Sequence, residues 1–324
     1  MTRNRNETER RLGWSENVMT LIRAFGKLAL ATAIGAFALV SVAAAQQHFK
    51  SPDEAADALA NAARAGDRRA IEAILGPAAH EIVSSGDPVQ DENARKIFVA
   101  AFDINHRIEG NNPATLVIGR DDFPFAIPIV QNGDTWMFDA AAGVEEVLAR
   151  RIGRNELAAI QVCLAYFDAQ NEYADVTPKV NGMAVYAQRI VSSPGKKDGL
   201  YWPAAQGEQP SPIGEAVAFA SVRGYRVGSH EPYHGYYYKI LKRQGPAAPG
   251  GEMDYVIDGN MVGGFALIAW PAQYGNSGVT SFLVDSNGDV FEKDLGADTQ
   301  KIAGRITWFN PDSTWKKVEE TEMK

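Results

Sequence analysis

The sequence has almost no cysteine and no excess of positive charge. Cys163 is the only cysteine among 324 residues, so the chain forms no internal disulfide and its stability has to come from a packed core. There are 32 basic and 40 acidic residues; the first 45 residues hold six and three of them, so the remainder has 26 and 37, a net charge of −11. A surface of that sign repels phosphate backbones, which excludes nucleic acid as an expected partner.

The sequence also lacks an apolar run long enough for a firm membrane span. Residues 28–45 carry no charge, but they number eighteen and many are alanine, whereas a spanning helix needs about 20 apolar residues. Arg23 and Lys27 precede this run and three alanines end it, which is the order of a secretory signal peptide. We therefore expect residues 1–45 to engage the membrane during export and to be cleaved near Ala45, which places the mature protein in the periplasm.

Two alternatives stay open for this segment. Residues 28–45 would anchor the protein to the inner membrane if they were not cleaved. Met19 is the alternative initiator, because a start there gives a signal peptide of ordinary length, whereas residues 1–18 add a polar stretch with no evident use.

No catalytic motif in the sequence has the structural context that its chemistry requires. His230-Glu231-Pro232-Tyr233-His234 has zinc-protease spacing, but that chemistry needs both imidazoles on one helical face, and proline costs about 3 kcal/mol inside a helix. Ser193-Pro194-Gly195-Lys196 has the spacing of a penicillin-binding nucleophile and its lysine, but Pro-Gly predicts a turn. Asp285-Ser286-Asn287-Gly288-Asp289 departs from a calcium loop and predicts a hairpin turn. We therefore expect no catalytic set, no metal and no cofactor.

What is present predicts an α+β fold with two domains. Residues 46–140 combine helices, the first capped by Ser51, with strands that meet at an Asn132-Gly133 turn. Residues 141–315 combine a long helix with a second antiparallel sheet. Residues 316–324 are rich in lysine and glutamate, and we expect a disordered tail there.

Hydrophobic periodicity gives the expected bounds of these elements. Helices are expected from residue 52 to a break at Gly66 and at residues 68–75, 91–102, 141–174 and 299–305. Strands are expected at residues 115–118, 125–130, 135–139, 236–241, 254–257, 265–270, 280–284 and 290–293.

The helical pattern over residues 141–174 carries two features of interest, and breaks are expected at Gly143 and Gly153. Cys163 lies among apolar residues at helical spacing, which predicts a buried side chain rather than a nucleophile. A charged cluster lies in the middle of the pattern: Arg150, Arg151, Arg154 and Glu156. This cluster predicts a solvated or interdomain face, with an anion site as the alternative.

The second domain is rich in ring-bearing residues beside turns and strand ends. Such rings often pack in a core, but on an open face they bind a glycan or a partner protein. Six of them are the candidate binding residues: Tyr201, Trp202, His234, Tyr236, Tyr238 and Trp270. Alternate residues of a strand face opposite ways, so Tyr236 and Tyr238 are expected on one face and Tyr237 on the other.

Six runs of sequence carry a family likeness. They are SSGDPVQD (84–91), ARRIGRNELAAIQVCLAYFDAQ (149–170), GKKDGLYWP (195–203), PYHGYYYKIL (232–241), GGFALIAWPAQYGNSGVTSF (263–282) and GDVFEKDLG (288–296). Together they resemble the bacterial domain of unknown function 2950 family over nearly everything after residue 48. The resemblance implies an exported protein and supplies no activity and no catalytic residues.

Each half also has a weaker likeness. Residues 49–140, with SPDEAADALANAARAGD and GDTWMFD, are similar to nuclear-transport-factor-2-like (NTF2-like) or cystatin-like domains. Residues 150–296 are similar to pseudopilin head domains, in which a long helix leads into an antiparallel sheet. In pilins that helix begins the chain as a membrane segment, whereas here a whole domain precedes it.

These observations favour a non-catalytic binding or scaffolding module of the cell envelope, with an envelope protein or a glycan as its partner. The alternative is a periplasmic hydrolase that acts on wall glycan or peptide. Its candidate residues, chosen by type and loop position, are His234 with Asp198, Glu208 or Asp254.

Overall fold

The computed structural model describes residues 46–226, 228 and 230–319. The expected signal peptide lies outside these ranges, so cleavage near Ala45, the membrane anchor and the Met19 start stay predictions. Across the described ranges, no helix is both long enough and apolar enough to cross a membrane.

Four helices open the described chain. They are α1 (Pro52–Ala65), α2 (Arg68–Leu75), α3 (Ala79–Val83) and α4 (Pro88–Ile104). Three of them begin at a side chain that accepts a hydrogen bond from a first-turn N–H: Ser51, Asp67 and Asp87. Such caps satisfy donors that a helix cannot pair by itself. The helix expected at residues 91–102 begins earlier, because Asp87 caps it and Pro88 suits its first turn.

Short antiparallel strands follow. One sheet contains β1 (His106–Glu109), β2 (Thr115–Ile118) and β3 (Phe123–Pro124), and a hairpin contains β4 (Ile129–Asn132) and β5 (Thr135–Phe138). The expected hairpin turn is confirmed, with Gly133 at φ +63° between the paired residues Asn132 and Thr135. The strand expected over residues 125–130 is wrong in its first half, because Pro124 ends β3 and pairing resumes only after Pro128.

The next element, α5 (Ala140–Val176), is one continuous helix of 37 residues. The breaks expected at Gly143 and Gly153 do not occur, because a single glycine costs only about 1 kcal/mol in a helix. The lack of a side chain at Gly143 allows close packing. A Cβ there would lie 2.8 Å from the carbonyl oxygen of Ala126 and from Cα of Ile127, so glycine lets α5 approach this segment closely.

The rest of the chain builds a second sheet beside α5. Its elements are α6 (Gly214–Val222), β6 (Tyr236–Leu241), β7 (Arg243–Gln244), β8 (Met253–Asp254), β9 (Val256–Ile257), β10 (Asn260–Met261), β11 (Ala266–Pro271), β12 (Thr280–Asp285), β13 (Val290–Asp294), α7 (Thr299–Arg305) and β14 (Lys316–Lys317). Five of the strands form one antiparallel sheet in the order β14-β13-β12-β11-β6. α6 was not predicted. Lys316 and Lys317 lie in the segment that was expected to be disordered, but they pair with β13, and Val318 is buried.

Two main hydrophobic cores hold these elements together. The first joins α1 and α2 to the β4–β5 hairpin and to Ala140 at the start of α5. The second joins the five-stranded sheet to α5 from Ala159 onward, and it includes Cys163, which is fully buried. The expected buried side chain is thus confirmed, and burial raises the pKa of this thiol to about 12. The α+β class is also confirmed, whereas the domain boundary at residues 140/141 stays a prediction.

Candidate binding groove

A groove of about 1180 Å³ lies in the second half of the chain, between α5, α6, and strands β6 and β11. One wall is a stripe of α5 at positions i, i+3, i+4 and i+7: Ala158, Gln161, Val162 and Ala165. This spacing places all four on one helical face. Because three of the four are alanine or valine, the face stays recessed and leaves room for a ligand. Val217 and Ala220 of α6 line the groove as well.

Aromatic residues of the sheet form another wall. Tyr237 of β6 pairs with Trp270 of β11, and their ring centroids lie 5.8 Å apart. Trp270 is held by a 2.8 Å bond from Nε1 to the side chain of Gln300 on α7. Lys239 lies with Nζ 5.7 Å from the Trp270 centroid and donates to the carbonyl oxygens of Ala303 and Gly304 at the end of α7. These contacts fix the rings before any ligand arrives.

One end of the groove is polar and contains His234. Its ring lies 4.4 Å from that of Tyr233 and 5.8 Å from that of Tyr225, centroid to centroid. His234 has φ +52°, and the following Gly235 has φ +75°, so the chain turns sharply just before β6 begins. Burial, and then the positive charge of Arg223, lower the pKa of the His234 imidazole, which keeps the ring neutral near pH 7.

Behind this end lies Asp87, which is fully buried. Its carboxylate accepts bonds from the Tyr225 hydroxyl at 2.9 Å, the Gly235 N–H at 3.0 Å and the Gln90 N–H at 3.0 Å. It therefore caps α4 and holds the turn before β6 at the same time. Burial raises the pKa of the Tyr225 hydroxyl, and the charge of Asp87 raises it further, so this hydroxyl remains a donor.

A polar network continues from Asp87 along α5. The buried Asn155 side chain bonds to Gln90 at 2.7 Å and donates to the Ser277 carbonyl oxygen at 2.9 Å. Arg151, also buried, donates to the carbonyl oxygens of Glu81 and Ile82 and to the side chain of Asn276. The network connects the α3–α4 region to the loop that follows β11.

The comparison with protein families decides where the chain belongs. A family model described as "Protein of unknown function (DUF2950)" matches residues 46–318. The chain belongs to the DUF2950 family. Neither a curated protein nor a solved structure matches the chain. The family likeness found in the sequence is thus confirmed, while the pseudopilin and NTF2-like or cystatin-like likenesses stay predictions.

The polar network brings together residues from four of the six runs that carry the DUF2950 likeness. Asp87 and Gln90 come from the run at 84–91, Arg151 and Asn155 from 149–170, Gly235 from 232–241, and Asn276 and Ser277 from 263–282. In the charged cluster on α5, Arg151 bonds to neutral oxygens and Arg150 pairs with Glu146. The interdomain face and the anion site both stay predictions.

The structure brings some of the six candidate binding residues of this DUF2950 member together and separates others. His234, Tyr238 and Trp270 line the groove. Trp202 and Tyr236 are buried in the second core, where Tyr236 packs against Phe282 with ring centroids 6.0 Å apart. Those two and Tyr201 do not line the groove. The binding role of all six stays a prediction.

Sequence reasoning did not include Tyr225, Tyr233 or the α6 wall in the candidate site. Tyr233 was recognised as one of the rings beside turns and strand ends but was not among the six candidate binding residues, and Tyr225 follows a segment with no periodic pattern. Asp87 precedes a proline, which predicts a helix N-cap, but no local pattern shows that its carboxylate also binds Tyr225 and the turn before β6.

The tempting motifs have ordinary structures in this DUF2950 chain. His230 and Glu231 lie in an irregular segment, and no cluster of three or more metal-binding side chains occurs among the described residues. Ser193 forms the expected turn, and its hydroxyl donates to Asp198 at 2.9 Å. Asp285 accepts from the N–H groups of Asn287 and Asp289 in the hairpin turn between β12 and β13.

The acids paired with His234 in the hydrolase alternative lie elsewhere. Asp198 accepts from the backbone of Ser193, Glu208 from the backbone of Ala205, and Asp254 lies in β8. None of the three lines the groove. The structure therefore does not assemble a carboxylate and His234 pair from these candidates.

Proposed function

We propose that this protein is exported and acts in the cell envelope as a non-catalytic binding module whose ligand occupies the groove. The observation that carries the proposal is the groove itself: about 1180 Å³, mostly apolar, with fixed aromatic rings along one wall. Ligand sites in proteins are typically concave and apolar, with a few polar groups that orient the ligand. Here His234 and the Tyr225–Tyr233 pair supply such groups at one end.

The export part of the proposal is supported by the sequence. Residues 1–45 hold basic residues, an apolar run and terminal alanines in the order that signal peptidases recognise, and the family match begins at residue 46. The test is to express the full chain in its bacterial host, fractionate the cells and determine the N-terminus by mass spectrometry. We expect a periplasmic protein that begins near Gln46; an intact chain in the cytosol would contradict this.

The groove is tested by filling it. Ala165 is exposed on α5 and lines the groove, so Ala165→Trp places an indole where the ligand would lie. Ala149→Trp is the matched control, because Ala149 is exposed on the same helix but does not line the groove. Both variants carry the same loss of helix propensity.

Each protein is immobilised as the cell processes it and incubated with envelope extract. The lipids, glycans and peptides retained are then quantified by mass spectrometry. We expect one class of molecule to be retained by the wild type and by Ala149→Trp and to fall at least tenfold with Ala165→Trp. Equal retention by all three proteins, with unchanged unfolding curves, would show that the groove is not the ligand site.

A further inference from the structure

The groove contains the open edge of a sheet. β6 is the last strand in the order β14-β13-β12-β11-β6. Along an antiparallel strand, the backbone groups of successive residues point alternately toward one neighbour and away from it. The N–H of Tyr236 donates outward to the carbonyl oxygen of Tyr233 at 3.2 Å, and the carbonyl oxygen of Tyr236 accepts from the N–H of Tyr233 at 2.8 Å. The carbonyl oxygen of Lys242 accepts outward from the N–H of Tyr255 at 3.0 Å.

Because of this alternation, two further residues between Tyr236 and Lys242 have backbone groups that point away from β11. Tyr238 and Ile240 have the same parity as Tyr236 and Lys242, so their N–H and C=O groups point away from β11 as well. Within the described ranges, no hydrogen bond to these four groups is found. Tyr238 lines the groove and Ile240 lies just beyond its lining, so the gap in the pairing begins in the groove and continues along the edge of β6.

The gap favours one kind of ligand over others. An acyl chain would cover two N–H and two C=O groups without pairing them, and desolvating an unpaired polar group is costly. An extended peptide presents donors and acceptors with the spacing that a strand edge requires, and open edges bind peptides in this way in many proteins.

The charges in the groove indicate which charged residues the peptide carries. With the histidines counted as neutral, its charged side chains are Arg226, Lys239 and Glu231, and Arg226 pairs with Glu231 at 2.9 Å, which leaves the positive charge of Lys239. The chain as a whole has a net charge of −8, so the groove differs in sign from the rest of the molecule. Charge complementarity therefore favours acidic residues in the peptide.

We propose that an extended, apolar peptide segment with flanking acidic residues, supplied by a partner protein, adds to β6 as a further strand. The segment pairs with the backbone of Tyr238 and Ile240, and its alternate side chains face the α5 stripe. This inference rests on the proposed function, because it names the ligand class of the same groove.

The probe is a capped nonapeptide, Asp-Val-Thr-Val-Thr-Val-Thr-Val-Glu, titrated into the purified protein by calorimetry. Two derivatives carry N-methyl groups, one on the amides of the valines and the other on those of the threonines. Since only one set of amides faces β6, we expect one derivative to bind at least tenfold more weakly than the other. Binding should also be lost with Ala165→Trp, be kept with Ala149→Trp, and weaken when the acids of the peptide are replaced by lysine.

Several results would overturn the inference. If both methylated peptides bind as well as the parent, the peptide does not pair with a strand edge. If no peptide binds but palmitate vesicles or a tetrasaccharide of N-acetylglucosamine bind in an Ala165-dependent way, the proposed function stands and the peptide is wrong. A dimer in sedimentation that Ala165→Trp abolishes would identify a second copy of this chain as the occupant.

Discussion

Asp87 shows how much of this fold depends on single buried polar residues. Its carboxylate accepts from an N–H of α4, from the Tyr225 hydroxyl and from the N–H before β6. Three donors meet at one buried acceptor group. The side chain at this position therefore needs two acceptor oxygens, and a side chain of the same shape with one oxygen does not replace it.

Asp87→Asn is expected to destabilise the protein by about 1–3 kcal/mol, because the amide group faces a donor and leaves it unsatisfied. The measurement is urea unfolding followed by circular dichroism. Asp139→Asn is the matched control. Asp139 caps α5 through one bond from Ala142, and asparagine caps a helix about as well as aspartate. Equal effects of the two substitutions would contradict the role assigned to Asp87.

A pH dependence is expected from Asp91. Burial raises the pKa of its carboxyl above 3.8, although bonds from Ser85 and the charge of Arg151 oppose this. A raised folded-state pKa means that the folded protein binds the proton more tightly, so the stabilisation is complete below pH 3.8 and is lost as the pH rises through the raised value.

The Asp91→Asn variant lacks this titration. The free energy of unfolding of the wild type, relative to that of the variant, should therefore fall between pH 3 and pH 7. Urea titrations of both proteins at a series of pH values measure the difference. A difference that rises over this range would show that the Arg151 and Ser85 contacts outweigh burial.

Among the elements, α5 carries the largest share of the architecture. Its first turn belongs to one core, its middle holds Arg151 and Asn155 in the polar network, and its second half belongs to the other core. At about 1.5 Å per residue it is about 55 Å long. Its two glycines allow the helix to be tested at two points.

Gly153→Ala should stabilise the protein by about 0.5–1 kcal/mol, because alanine is the better helix former and a Cβ there meets nothing within 4 Å. Gly143→Ala should instead destabilise it, because the same Cβ would lie 2.8 Å from the Ala126 carbonyl oxygen. Thermal unfolding of the two variants gives the comparison. Stabilisation by both substitutions would mean that the segment at Ala126 shifts to accommodate the added methyl group at little cost.

The elements also show what the sequence could and could not predict. Helices with a polar face and a cap, such as α2, were located to the residue because period and cap agree. α6 was missed because its sequence, GEAVAFASV, is apolar all round and shows no period. The break expected at Gly143 failed because a local penalty near 1 kcal/mol is smaller than the tertiary packing on either side.

The candidate site was predictable only in part. Ring-bearing residues near strand ends were identified from composition, but whether a ring is buried depends on what packs beside it along the strand. Tyr236 and Tyr238 share one face of β6, yet Tyr236 is buried in the second core, whereas Tyr238 lines the groove, as does Trp270. The polar network joins residues up to 192 positions apart, such as Ser84 and Asn276, and no local pattern encodes such a meeting.

On the scale of the whole molecule, the described residues from 46 to 319 have two main cores linked by buried hydrogen bonds, and they form one compact unit. We expect the two cores to unfold together. The check is to follow urea unfolding with Trp136, which packs on the first core, and separately with Trp202, which lies in the second, each as the only tryptophan of a variant. Two separated midpoints would show that the cores unfold independently.

The continuity of α5 also decides how proteins of this family can be recombined. A crossover inside Ala140–Val176 would pair Arg151 and Asn155 of one parent with the carbonyl groups and amides of another. It would also divide a single helix whose two ends pack in different cores. Chimeras joined in the irregular stretch between α5 and α6 keep the whole helix from a single parent. Arg151 and Asn155 of that parent then bond to residues 276 and 277 of the other, so these partners have to be matched when ligand preference is exchanged between family members.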